Sequence, residues 1–226
     1  MKISYHGHSS VKIETQAGKT ILIDPFISGN PLCDLRVEDL KPDIILISHA
    51  HSDHFGDCIE LAKDNDALVI SVLELTDFIE NQGIRVHGLQ AGGGYNFDFG
   101  RVTLTQAIHG SSMEIDGKPY TLGLAAGIIL EIEGKTIYHL GDTALFSDLK
   151  MYGDLYGIDL AFIPIGDNFT MGPEHAAIAA SWLKAKKVMP IHYNTFPLIE
   201  QDPITFTQSL PDNQGLYTEI GQVFEL

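Results

Sequence analysis

The 226 residues carry 14 Lys and Arg against 30 Asp and Glu, a formal net charge of −16 at pH 7. That excess repels polyanions over most of the surface and argues against an extended nucleic-acid interface. Apolar residues at 44% and charged residues at 19% are globular proportions, and no apolar run approaches the roughly 20 residues that span a bilayer.

The length suits one substantial core, so a single domain over 1–226 is expected. The opening "MKISYHGHSSVKIE" lacks the continuous apolar region of a signal peptide, which makes the cytoplasm the expected compartment. Cys33 and Cys58 follow no C-x-x-C pattern and read as two reduced thiols.

Along the chain, "SVKIET", "QAGK" and "TILID" read as a hairpin followed by an extended segment, and "DIILIS" as a continuous apolar strand. "DHFGDCIELAKDN" then has helical spacing at Phe55, Ile59 and Leu61 or Ala62. "ALVIS" and "LELTDFIENQG" repeat the strand-helix order, with Gly83 as the helix stop. This alternation favours a layered α/β fold.

"AGGGYN" has no following Gly-Lys-Ser/Thr and reads as a flexible hairpin turn or active-site loop, not a phosphate loop. "GYNFDFGRVTLTQAIHG" and "AAGIILEIEGKTIYHLGDT" return to antiparallel hairpins, and "DLAFIPIG" and "VMPIH" are further strands. Between the last two, "MGPEHAAIAASWLKAKK" is a helix with Pro173 in its first turn and Lys184, Lys186 and Lys187 in its last, where they would offset the dipole. "IETQAGKTILID" is echoed by "LEIEGKTIYHLGD", each a Gly-Lys-Thr-Ile turn leading through an apolar strand to Asp24 or Asp142. The echo suggests two related halves packed face to face.

"ISHAHSDHFGD" places His49, His51, Asp53 and His54 within six residues. From composition the motif would arise by chance with a probability on the order of 0.001. His49 and His51 stand two residues apart, so in an extended loop both project to one side and can share an ion; Asp53 and His54 lie beyond a bend and can face a second. Three further apolar strands run into a ligand type at His109, Asp142 and His192. Strand ends are where rigid α/β scaffolds expose chemistry. Seven candidates exceed one tetrahedral ion and suit two dications bridged by a carboxylate and a water-derived hydroxide. Two such ions would cancel about four negative charges in the cleft where an anionic substrate would sit.

These residues resemble the metallo-β-lactamase superfamily, whose H-x-H-x-D-H signature His49, His51, Asp53 and His54 match, with His109, Asp142 and His192 following in order. The resemblance implies a four-layer αβ/βα sandwich built from two related halves. One site would consist of His49, His51 and His109, the other of Asp53, His54 and His192, with Asp142 bridging. It also implies that Asp24, after "ILI", orients a metal ligand. "SYHGHSSVKIET", "TMGPEHAA" and "PIHYNTFP" look like the branch of small metal-dependent hydrolases related to ascorbate-phosphate lactonases. An acidic residue is more usual there at the position of His175, a departure that touches any role carried over to that side chain.

The other histidines have two readings each. His8 either reaches the rim of the metal site, touching a ligand or substrate, or is a satisfied structural histidine. His175, at the start of a helix whose positive end would keep it neutral, either contacts substrate or lies on the surface. His6 reads as structural, His139 as packing or support for the site, and His87 as a surface strand residue.

The leading expectation is a hydrolase in which a metal-bridging hydroxide attacks an ester or lactone, with Asp53 holding a metal and the nucleophile's proton. Phosphodiester or RNA hydrolysis is the alternative within the fold, and iron-dependent redox chemistry the alternative outside it. The expected cofactors are two divalent ions, zinc first, with manganese, nickel or iron as alternatives. The expected partner is a small-molecule substrate, anions included; a β-lactam is disfavoured without an export signal.

Overall fold

A computed structural model describes residues 1–226. The first half builds a seven-stranded sheet. Strands β1 (Lys2–Tyr5), β2 (Val11–Glu14) and β3 (Thr20–Ile23) pair antiparallel. Strands β4 (Ile44–Leu46), β5 (Leu68–Val72) and β6 (Val86–Leu89) then add in parallel. Helix α1 (Ser52–Phe55) and helix α2 (Cys58–Asn65) separate β4 from β5, and α3 (Leu73–Glu80) separates β5 from β6.

The second half repeats the plan. Strands β7 (Gly94–Asn96) and β8 (Arg101–Gln106) form a hairpin. A detached hairpin of β9 (Ser112–Ile115) and β10 (Lys118–Thr121) interrupts it, after which β11 (Ala126–Ile132) pairs with β8 and with β12 (Lys135–His139). Strands β13 (Leu160–Pro164) and β14 (Lys187–Ile191) follow in parallel, with α4 (Asp148–Leu155) before β13 and α5 (Pro173–Leu183) between the two. After α6 (Pro203–Ser209), β15 (Phe224–Glu225) crosses back to pair with β1.

The Gly-Lys-Thr-Ile echo is structural. Thr20 and Asp43 exchange two hydrogen bonds, Thr20 N–H to Asp43 Oδ2 (2.8 Å) and Asp43 N–H to Thr20 O (2.9 Å). Thr136 and Asp159 repeat the exchange at 2.9 and 2.8 Å. In each half the aspartate carbonyl then accepts from the start of the next parallel strand, Leu68 or Lys187.

Strands β4, β5, β13 and β14 are buried along nearly their whole length, as parallel strands covered on both faces must be. One hydrophobic cluster takes in residues of both sheets, while α3 packs on β5 and β6, α5 on β13 and α6 on β14. The result is the layered α/β fold that the strand-helix alternation suggests, in the αβ/βα sandwich that the resemblance implies. No helix is long and apolar enough to cross a membrane.

Three expectations need correction. The helix expected over 53–65 is two helices, because Gly56 turns left-handed at φ +45° and its α-carbon lies against the chain after β3; a Cβ there would stand 2.3 Å from Pro25 O. Lys184 caps α5 in the left-handed conformation and Lys186 and Lys187 lie beyond it, so no lysine occupies its last turn. "AGGGYN" is not a hairpin turn, since it carries the chain from β6 in one sheet to β7 in the other. The β9–β10 hairpin has only the short alternation Ser112-Met113-Glu114-Ile115 on its first strand, and β10 is exposed throughout. Its signal is Asp116-Gly117, both at positive φ, the pair that a tight type I′ turn requires.

Candidate metal centre

His49, His109, Asp142 and His192 all lie just beyond the C-terminal ends of strands, after β4, β8, β12 and β14. His51 is the N-cap of α1, and the single turn of that helix carries Asp53 and His54. The bend inferred from the spacing is therefore a helix start. The three single ligands arrive from the other sheet, after β8, β12 and β14.

The first group is His49, His51 and His109. His51 Nδ1 is 3.0 Å from His49 Nε2 and 3.2 Å from His109 Nε2. Burial lowers the pKa of all three; the charge of His54 adds to this at His49, while Asp53 opposes it at His51 and Asp142 at His109. Three neutral imidazoles aiming nitrogens at a common point are a ligand set for a divalent ion.

The second group is Asp53, His54 and His192, which lie together with His8 within metal-binding reach. Between the groups lies Asp142. Its Oδ2 is 3.0 Å from His192 Nε2, 3.3 Å from His54 Nε2, 3.4 Å from His109 Nε2 and 4.0 Å from His49 Nε2. Burial works against ionisation of Asp142, but the neighbouring His192 and His54 outweigh it and hold the carboxyl well below the usual range.

The donor set fits cations. His54 Nε2, Asp142 Oδ1 and His192 Nδ1 are buried without a hydrogen-bond partner, the 3.3 Å approach of His54 to Asp142 lacking hydrogen-bond geometry. Buried polar atoms in folded proteins are nearly always paired, so the orphaned His54 Nε2 and Asp142 Oδ1, both inside the ligand cluster, point to ions as their partners.

Asp24 supports both groups. At φ +46° and wholly buried, it accepts at Oδ2 from His54 Nδ1 (2.8 Å) and Ser48 Oγ (2.7 Å), and at Oδ1 from the Ser48 amide (2.8 Å). Ser48 Oγ in turn accepts from His49 Nδ1 (2.9 Å). With hydrogens assigned from this network, both rings carry Nδ1–H and turn Nε2 toward the cluster, the arrangement by which carboxylates orient metal-bound histidines. Sequence reading found Asp24 but missed Ser48, whose signal was its place directly before His49.

Burial alone would lower the pKa of His54, but Asp142 and Asp24 together raise it well above the ordinary value. The metal-free ring is thus charged at neutral pH, and a dication must displace its Nε2 proton. We expect metal uptake to release at least one proton per chain at pH 7, and affinity to fall as pH drops below the metal-free pKa of His54. Calorimetric titration in buffers of different ionisation enthalpy reads this directly; identical heats in all buffers would contradict it.

The cluster is closed beneath and open at one side. The side chains of His49, His54, Asp142 and His192 are 0–3% exposed, whereas those of Asp53 and His109 reach 27% and 14%. The open side of the cluster is therefore that of Asp53 and His109.

The remaining histidines separate cleanly. His8 is not at the rim but wholly buried behind Asp53. His175 is exposed on the first turn of α5, lining a cavity of about 460 Å³ with Asp167, Glu174 and Gln201, and belongs to none of the ligand groups. His6 is buried between Ser4 and Asp34. His139 donates from Nε2 to Ser9 O and accepts at Nδ1 from the Gly141 amide, beside the turn that carries Asp142. His87 packs half-buried against Tyr95 and Phe97. Cys33 and Cys58 are free thiols.

Residues 2–192 match the family model described as a beta-lactamase superfamily domain. A UPF0173 metal-dependent hydrolase from Anoxybacillus flavithermus is 58% identical over the whole of both chains, and one from Bacillus cereus is 56% identical over the same extent. Among solved structures, a metallo hydrolase from the hyperthermophilic archaeon Ignicoccus hospitalis has a TM-score of 0.90 at 35% identity, covering 100% of this chain and 98% of its own.

Together with the fold and the His/Asp cluster, these likenesses define a metal-dependent hydrolase of the metallo-β-lactamase superfamily. Within that superfamily, the chain belongs to the UPF0173 metal-dependent hydrolase family.

Proposed function

We propose that the centre holds two divalent ions, zinc first among them, and hydrolyses a small ester or lactone. One ion would be held by His49, His51 and His109, the other by Asp53, His54 and His192, with Asp142 shared. The observation that supports this is the crowding of four imidazole nitrogens within 3.0–4.0 Å of the single oxygen Asp142 Oδ2, one ligand group on either side. Bound there, the ions would supply a water acidified from its bulk pKa of about 15.7 toward neutrality and a Lewis acid for the scissile carbonyl.

The chain's own residues do the rest. Asp53, the most exposed carboxylate of the cluster, faces the approach side and holds the proton given up by the attacking water. Asp24, through His54 and through Ser48 and His49, keeps ring nitrogens turned inward. The buried floor formed by His49, His54 and Asp142 excludes bulk water from below.

The choice of ester or lactone over phosphodiester rests on the likeness of "SYHGHSSVKIET" to lactonase-related sequences and on the net charge of −16, which disfavours a polyanion. A panel of lactones, p-nitrophenyl esters and bis-p-nitrophenyl phosphate, run on wild type and Asp53→Ala, tests it. Lactones or esters should turn over fastest, and Asp53→Ala should slow them about 10²–10⁴-fold, the range of a lost general acid–base group. Faster cleavage of the phosphodiester would overturn the substrate class; equal turnover by both proteins would remove Asp53 from the reaction.

A further inference from the structure

His8 adopts φ +56°, a left-handed conformation uncommon outside glycine, although asparagine, aspartate and histidine enter it more readily than other residues. Such positions persist where the surroundings over-determine them, and they concentrate at functional sites. Here the surroundings are two members of the candidate second ion's ligand group. Through its side chain, His8 Nε2 reaches Asp53 Oδ2 at 3.0 Å. Through its backbone, His8 O accepts from the amide of His192 at 2.6 Å and from the Tyr5 hydroxyl at 3.0 Å. His192 is itself left-handed at φ +57°. One buried residue thus ties together the loop after β4 and the loop after β14, with the rings of Phe26 and Phe196 set edge-on to its imidazole at 5.6 and 5.5 Å.

The far side of the ring meets Thr195, whose Oγ1 is 2.9 Å from His8 Nδ1 and 3.3 Å from Tyr193 O. A hydroxyl has one proton to give. If Thr195 gives it to the nearer acceptor, His8 Nδ1, the neutral ring must carry its own proton on Nε2, where it donates to Asp53 Oδ2. The opposite tautomer would set an imidazole lone pair against a carboxylate oxygen at 3.0 Å with nothing between them.

We infer that Thr195, His8 and Asp53 form a positioning relay that fixes the rotation of the Asp53 carboxylate. The relay rests on the reading in which Asp53 serves an ion and takes the proton of water. With Oδ2 held by His8, the carboxylate cannot turn about its own axis, and Oδ1 is left as its free oxygen.

Thr195→Val tests the relay with little change of volume. In metal-free protein labelled with ¹⁵N-histidine, wild-type His8 should show the Nε2–H tautomer that donates to Asp53. On the best ester or lactone substrate, Thr195→Val should lower kcat about 10–100-fold, the usual effect of losing a group that orients a ligand, while KM stays within about twofold. His8→Gln, which keeps a donor of similar reach, should retain more of kcat than His8→Ala. A wild-type His8 in the Nδ1–H form would overturn the relay and make its Nε2 a metal ligand, and so would a Thr195→Val enzyme with unchanged kcat. A wild type that takes up no metal or cleaves no ester overturns the functional reading instead; the tautomer, measured without metal, still decides the relay.

Discussion

Replacing Asp142 by alanine should lower kcat/KM at least about 10³-fold, equivalent to about 4 kcal/mol of transition-state stabilisation, and should cut bound metal to at most one ion per chain. Asp142 Oδ2 is the atom on which both ligand groups converge, and no other carboxylate in the cluster lies between them. Without it each ion would keep only its own group, and nothing would hold the two at a common distance. The metal-free variant should change as well, because Asp142 is the largest influence raising the pKa of His54. In Asp142→Ala the His54 ring should lose its proton at a lower pH than in wild type, a shift visible by NMR. Metal content by elemental analysis, together with rates on the lactone and ester panel, decides the matter. Two tightly held ions in the variant would show that Asp142 does not join the sites.

Asp24→Ala is expected to be the most damaging change away from the ions. Three donors, His54 Nδ1–H, Ser48 Oγ–H and the Ser48 amide, lose their acceptor in a pocket with no access to water. An orphaned buried group costs about 1–3 kcal/mol, so a loss of about 3–9 kcal/mol is expected from the three, a large part of the 5–15 kcal/mol that stabilises a typical domain. The left-handed backbone of Asp24 adds a further penalty of about 1 kcal/mol for alanine. Metal affinity should fall about 10–100-fold, since neither His49 nor His54 would be held with Nε2 inward.

Asp24→Asn separates the two effects. Asparagine suits the left-handed backbone and keeps one acceptor for the Ser48 amide, but its NH₂ group would face the donors of His54 and Ser48. Stability should recover in part while metal affinity does not. Thermal melts in the presence of a chelator, compared with metal titrations of the same proteins, give the answer. Wild-type affinity in Asp24→Asn would remove the orienting role.

The ligand chemistry was legible because it is local. His49, His51, Asp53 and His54 crowd six residues, and His109, Asp142 and His192 each follow a strand that its own apolar run announces. The repeat was legible for the same reason, since a Gly-Lys-Thr-Ile turn needs only its neighbours to form. The alternation of strands and helices likewise pointed to the layered α/β fold.

What local pattern could not carry is which atoms meet across the chain. The helix after His51 breaks at Gly56 because Pro25 and Phe26 press on it from another loop, and nothing in the helical spacing of 53–65 records that pressure. His8 and His175 look alike in the sequence, each a histidine near the edge of an element. The fold buries one against Asp53 and leaves the other exposed on α5. Ser48 and Thr195 carry no motif, and they matter only because the fold sets Ser48 against Asp24 and Thr195 against His8. The sequence by itself determined the kinds of ligand and the strands that present them. Only the tertiary structure decided their orientation, because a hydrogen bond depends on distances of a few tenths of an ångström between groups that meet only once the two sheets have packed.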